Sequence, residues 1–389
     1  MRILQLDGLR GIAISLVLIW HYFFLTSQIE PRTTLSYALA CFRLSWSGVD
    51  LFFVLSGFLI CGILLDARTS TEYFKVFYAR RFFRIIPIYV IFLLVAFSLL
   101  AFARGSGSET SAWMVKDALP WPLYFLFLQN FSMAFTNSLG AFGLAVTWSL
   151  AVEEQFYLTL PSLVRFLTTR RLVVALCSGI VAAPALRLLL HAMWPQQAIA
   201  WFVLTPCRAD ALLLGALAAV GLRDPYWRAS LIRGKSLLQL CLAVLFAGMG
   251  FLTLRAPHPS NLLMLSVGFT WLALFYVSVV VYAVLFSEGL LSRCLRFKVL
   301  IWLGSIAYGT YLLHEFALGG VFAVIWSKAP AIGNVFELGA TLGALALVLT
   351  ICHLSWAYFE KPLLRIGHRW EYSVGSRERR GLMEEVVAR

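Results

Sequence analysis

Residues Leu6–Leu25 read LDGLRGIAISLVLIWHYFFL, an apolar run with Asp7 and Arg10 near its start and His21 inside it. At about 1.5 Å per residue, twenty residues match the roughly 30 Å hydrocarbon core of a bilayer. The run lacks a small-residue cleavage site after it, so it reads as a retained membrane span rather than a signal peptide, with its N-terminus cytoplasmic. The rest of the chain agrees. Of 389 residues, 61% are hydrophobic and 13% charged, against about 25% charged in soluble proteins. The composition is that of a multi-span membrane protein.

Ten further apolar runs follow, at about 45–65, 85–103, 121–136, 147–167, 172–192, 208–222, 236–254, 262–286, 300–326 and 333–358. The 32 Lys and Arg exceed the 19 Asp and Glu, giving a net charge of +13. These basic residues lie between apolar runs, in 66–84, 223–235, 287–298 and after 360, where they set topology rather than bind nucleic acid. All four segments read as cytoplasmic. An even number of crossings must then separate the outer loop 104–120 from the run at 208–222, yet three runs lie between them. The weakest is 121–136, which starts at Pro120 and Pro122 and holds Gln129 and Asn130. Read as re-entrant or surface-lying, it leaves ten crossings with both termini cytoplasmic. The expected fold is an all-α polytopic bundle over 1–365 in the cytoplasmic membrane, followed by a short charged tail at 366–389.

Ionisable groups inside spans cost about 2.5–3.5 kcal/mol each at a helix centre, so they mark function or pairing. Arg10 and His21 are eleven residues apart, about 16 Å and close to three turns, so an α-helix puts both on one face and His21 near the midplane. Asp50 lies at the outer end of the second run, with Ser56 and Gly57 permitting close packing. Arg80, Arg81 and Arg84 precede Pro87, and arginine forks bind phosphate bidentately. In TWSLAVEEQFYLTLP, Glu153 and Glu154 stand about two turns inside a span, suited to acid–base work or to pairing with a cation. Arg208 and Asp210 read as structural ion-pair partners of other spans. His314 and Glu315 fall in the outer half of the tenth run of the series. Glu360 and Lys361 read as an end-of-helix feature. The seven cysteines are scattered among apolar runs without a C-x-x-C pair, so neither a disulfide framework nor a metal site is expected.

Seven stretches in order, LDGLRGIAISLVLIWH, GVDLFFVLSGFLI, RRFFRIIP, TWSLAVEEQFYL, RADALLLG, SIAYGTYLLH and FEKPLLR, resemble the acyltransferase-3 family of integral-membrane O-acyltransferases. The resemblance implies a ten-span bundle that takes an acyl group, usually acetyl, from cytoplasmic acyl-CoA and passes it to a hydroxyl of a carbohydrate or lipid-linked glycan. Acyl-CoA would be a co-substrate, with no tightly bound cofactor. The family's Arg–ten residues–His pattern falls on Arg10 and His21, its R-x-x-R pattern on Arg81 and Arg84, and its glutamate pair on Glu153 and Glu154. His21 is then base or nucleophile, oriented by Glu153 or Glu154, and Arg10, Arg80, Arg81 and Arg84 hold the CoA phosphates. Some relatives carry a fused extracytoplasmic domain for a second transfer. Here that role would fall to a separate protein, or the bundle would act alone.

Two other classes fit the intramembrane charges: a transporter or flippase using His and Glu as a proton relay, and an assembly subunit of an envelope-polysaccharide machine. Production of free CoA separates the enzyme from both. Acceptor choice is expected in the outer loops SQIEPRTTLSYALACFR, SGSETSAWMVKDALPWP and SMAFTNSLGAF.

Overall fold

A computed structural model describes residues 3–28, 39–105 and 112–372. Ten long helices run up and down: α1 (Leu4–Phe24), α2 (Ser45–Asp66), α3 (Tyr73–Gly105), α4 (Thr147–Phe166), α5 (Thr169–Met193), α6 (Ala198–Gly221), α7 (Lys235–Arg255), α8 (Met264–Leu285), α9 (Lys298–Trp326) and α10 (Val335–His368). Among the described residues no strand forms, and the one isolated bridge joins Ser27 to Ile332. Nine of the ten helices are long and apolar enough to cross a membrane. The other, α4, has 20 residues but carries Glu153, Glu154, Gln155 and Arg165. The protein is a multi-pass, all-α membrane bundle.

The segment 121–136 does not form a span. It holds two short helices, Trp121–Phe125 and Gln129–Thr136. Its polar residues, which weaken it as a span, are what fix it in place. Gln129 and Asn130 are fully buried. Gln129 donates to Thr147 O at 2.9 Å, and Asn130 to Val203 O at 3.2 Å. Gln155 in turn donates to Phe127 O at 2.8 Å and to Asn130 Oδ1 at 3.0 Å. Away from water such amides must pair internally, so they bind the short helices to α4 and α6.

Several boundaries differ from the sequence reading. The third span starts at Tyr73, twelve residues before the expected 85, and passes through Pro87. Proline is tolerated in membrane helices, and α3 continues through it; two residues before it, Ile85 O accepts from the Tyr308 hydroxyl at 3.2 Å. The last span runs on to His368 through a wider π-turn at Trp356–Glu360, so Glu360 is a buried residue within the bundle rather than an end-of-helix feature. The helix therefore enters the expected tail. Trp370 and Tyr372 then fold back under Lys75 and Arg80 at 5.3 and 5.1 Å; residues 373–389 lie outside the described residues. All seven cysteines are free; only Cys61, Cys207 and Cys352 are buried, so the rest do not pack as small core hydrophobes.

Helices meet where glycine removes the side chain. A Cβ on Gly57 would lie 1.9 Å from Leu212 O, and one on Gly215 2.1 Å from Val54 O, which fixes the α2–α6 crossing. Gly8, Gly11 and Gly304 do the same for α1 against α9 and the turn before it. Small residues at helix crossings let dispersion forces act at short range in lipid.

Asp50, Arg208 and Asp210 form a structural cluster with Arg187, a residue the sequence reading passes over. Arg208 pairs with Asp50 at 2.6 Å, and Arg187 with Asp210 at 2.9 Å. Arg187 also donates to Cys207 O, Leu265 O and Thr270 Oγ1. The Arg208 guanidinium lies 4.0 Å over the Phe269 ring. Removing one partner of such a pair leaves an uncompensated charge and costs about 3–5 kcal/mol. Asp210→Ala is therefore expected to lower the unfolding temperature strongly in detergent, while Glu288→Gln, whose side chain is 78% exposed, leaves it unchanged. Thermal unfolding followed by tryptophan fluorescence checks both.

Candidate active site

The side of the bundle that carries Arg68, Arg165 and Arg223 holds a cavity of about 590 Å³. Its wall includes Arg10 from α1, Ser56 from α2, Arg81 and Arg84 from α3, Glu153 and Tyr157 from α4, Tyr308 from α9, and Glu360 from α10. A second cavity of about 320 Å³ shares Arg10, Arg81 and Arg84 with it and adds Arg80 and Tyr372. The early start of α3 produces this convergence: Arg80, Arg81 and Arg84 stand on a formed helix rather than a loop. Arg10 pairs with Asp7 at 3.0 Å. Arg80 donates to Trp370 O at 2.9 Å. Among the described residues Arg81 and Arg84 have neither a carboxylate nor a hydrogen-bond partner, while Glu153 and Glu360 stand on the same cavity wall. An unpaired guanidinium pair beside a cavity is an anion site.

Glu153 accepts from Tyr157 Oη at 3.2 Å, and Tyr157 is joined through its hydroxyl to Ser56. Adjacent residues on a helix point about 100° apart. Glu153 faces the cavity, and Glu154 Oε1 is buried without a partner among the described residues.

His21 is not part of the cavity wall. The last turn of α1, Ile19–Phe24, is a π-turn. Its Nδ1–H donates to Val17 O at 2.9 Å, and its Nε2 lies 3.4 Å from Glu315 Oε1. The carboxylate facing His21 is therefore Glu315, not Glu153 or Glu154. The His314 ring stands edge-on to His21 at 4.7 Å, and Tyr22 donates to His314 O at 2.8 Å. At about 1.5 Å per residue His21 lies some 26 Å along the helix axis from Leu4. Ser149 of α4 and Tyr311 of α9 line the cavity and share a hydroxyl hydrogen bond of 2.6 Å, and Tyr311 stands one turn before His314.

The structure thus sorts the expected residues into three groups. Arg10, Arg81, Arg84 and Glu153 line the larger cavity and Arg80 the smaller, while Glu154 lines neither. His21 and His314 meet Glu315. Asp50, Arg208 and Asp210 hold helices together elsewhere. Missed from sequence were the roles of Glu315, Glu360, Tyr157 and Tyr311. Glu315 follows His314 directly in a span, which was the available signal. Of the outer loops expected to select an acceptor, residues 29–38 and 106–111 lie outside the described residues.

Residues 3–359 match the family model of an acyltransferase domain, that of the acyltransferase-3 family. The chain belongs to this family. It is 28% identical over 380 residues to a peptidoglycan O-acetyltransferase, OatA, of Listeria monocytogenes, covering 93% of this chain and 56% of the relative. It is 25% identical over 379 residues to the O-acetyltransferase OatA of Staphylococcus aureus, covering 94% and 57%. A putative peptidoglycan O-acetyltransferase of Bacillus subtilis, YrhL, is 28% identical over 390 residues, covering 94% and 55%. The chain therefore spans little more than half the length of these relatives. No solved structure matches it.

The unpaired arginines make a binding prediction. Each charge-assisted hydrogen bond contributes about 1.5–3 kcal/mol, so, with CoA as a phosphate-bearing probe, Arg81→Ala with Arg84→Ala should weaken binding of an anion held by these arginines by about 100-fold or more. Isothermal titration of the protein in nanodiscs checks this, and unchanged affinity would remove these arginines from an anion site.

Proposed function

We propose that this chain is a membrane O-acyltransferase that takes an acyl group, acetyl by likeness to its relatives, from acyl-CoA and delivers it to a hydroxyl of a cell-wall or surface polysaccharide. The observation that carries this reading is one axis through the bundle. Arg81 and Arg84 line a cavity whose wall also includes Tyr311, one turn of α9 before the His314–Glu315 pair that meets His21. The phosphates of CoA bind Arg81, Arg84, Arg80 and Arg10, and the pantetheine arm, with a reach of about 16–20 Å, extends along the cavity. That length matches the Arg10-to-His21 offset of about 16 Å. The side with the arginines is then the cytoplasmic face of the inner membrane, and both ends of the bundle lie on it, as its concentration of basic loops favours.

The chemistry follows from the imidazole. Val17 O can only accept, so Nδ1 of His21 carries the proton and Nε2 holds the lone pair. Nε2 takes the proton of the acceptor hydroxyl as its oxygen attacks the thioester carbonyl. The C–S bond breaks, and the proton passes to the CoA thiolate. The products are the acyl ester and free CoA. Glu315 stabilises the imidazolium formed on the way, and Tyr157 and Glu153 order the donor side. The likeness to a peptidoglycan O-acetyltransferase and to a putative one supports a carbohydrate acceptor.

The test is CoA thiol release from acetyl-CoA with an oligosaccharide acceptor, using protein in nanodiscs. General-base catalysis contributes about 10²–10⁴-fold, so His21→Ala should lose release by at least about 100-fold while still binding CoA. Glu315→Gln should lower the rate with little change in the half-saturating acetyl-CoA. Release at the wild-type rate from His21→Ala would remove His21 from the chemistry. Movement of a glycan without any CoA release would favour a transporter.

A further inference from the structure

The His21 cluster contains more than a base needs. Ligand atoms of His21, His314 and Glu315 all lie within 4.8 Å of one another. Both imidazoles are fixed in one tautomer. His314 Nδ1 lies 2.8 Å from Tyr311 O, as His21 Nδ1 lies 2.9 Å from Val17 O. Each Nδ1–H is therefore committed to a backbone carbonyl, and each Nε2 carries a lone pair. A histidine tied at one nitrogen to a carbonyl is oriented for metal ligation at the other.

The opposing atoms are all acceptors. His314 is fully buried, and its Nε2 has no hydrogen-bond partner among the described residues. Glu315 Oε2 is likewise buried and unpartnered. Two imidazole lone pairs and a carboxylate cannot satisfy one another, and a proton shared between His21 and Glu315 leaves His314 Nε2 unserved. A single cation between them satisfies all three. The 3.4 Å between His21 Nε2 and Glu315 Oε1 fits one edge of a tetrahedron, because bonds of about 2.0–2.2 Å put neighbouring ligand atoms about 3.3–3.6 Å apart; side-chain movement within the 4.8 Å group brings the third ligand to the ion. Two imidazole nitrogens and a carboxylate, with a fourth position open, suit Zn²⁺. The ligands come from opposite ends of the chain, so no sequence spacing announces the site.

We propose that His21, His314 and Glu315 bind a divalent transition-metal ion, Zn²⁺, and that its binding occupies the His21 lone pair and stops acyl transfer. The second half rests on the function proposed above; the first does not.

The test uses the full chain in nanodiscs, stripped with EDTA and titrated with Zn²⁺ by calorimetry, with Co²⁺ as an optical probe. One ion per chain is expected, with an intense visible Co²⁺ band of tetrahedral nitrogen and oxygen ligation. His314→Gln and Glu315→Gln should weaken binding by more than the roughly 10–100-fold that loss of an outer-shell partner costs. Absence of stoichiometric binding by the wild type, a weak octahedral Co²⁺ spectrum, or undiminished affinity in His314→Gln would overturn the site. The wild-type spectrum decides even where a variant does not fold. Zinc binding with CoA release unaffected would overturn the inhibitory half. Zinc binding by a protein that releases no CoA under metal-free conditions supports the site and faults only the transferase reading.

Discussion

The hydrocarbon core offers no water to a charged side chain, and each one placed there must find its partner inside the protein. That constraint organises this bundle. Where charges serve the fold, they are paired and enclosed: Arg208 with Asp50, Arg187 with Asp210, and aromatic rings beneath Arg208. Where charges are left without ion-pair partners beside a cavity, as at Arg81 and Arg84, the pairing is left to a ligand. The difference between paired and unpaired arginines separates scaffold from site more sharply than any single motif.

Close packing makes the arrangement rigid enough to matter. Glycines at the α2–α6 and α1–α9 crossings bring backbones into direct contact, and α1 and α9 both line the cavity. The last turn of α1 is the π-turn that carries His21. Arg10 lines the cavity, and His21 meets Glu315 and His314. One helix thus joins the anion site to the imidazole, and the Ser149–Tyr311 hydrogen bond stands between the two.

Much of this was legible in the sequence. Apolar runs and loop charge gave the helical bundle, and parity excluded 121–136 as a crossing. The arginine cluster was legible because its members lie within five residues of one another. Three things were not. His21 lies outside the cavity wall that Arg10 lines, and that wall is assembled from six helices. Glu315 and Glu360 owe their positions to helix contacts across the bundle, and Glu360 looked interfacial because Lys361 follows it. Arg187 sat in an apolar run as one unremarked cation, although its partner Asp210 was recognised. In each case the missing information was tertiary: which face of one helix meets which face of another.

The proposed path has an acyl group enter on the arginine side and react at His21, deeper in the bundle. Oriented proteoliposomes with radiolabelled acetyl-CoA supplied only on the arginine side, and an oligosaccharide acceptor only on the other, test it directly. The account predicts labelled ester on the far-side acceptor, dependent on His21. Labelled ester only when donor and acceptor share one side of the membrane would contradict it.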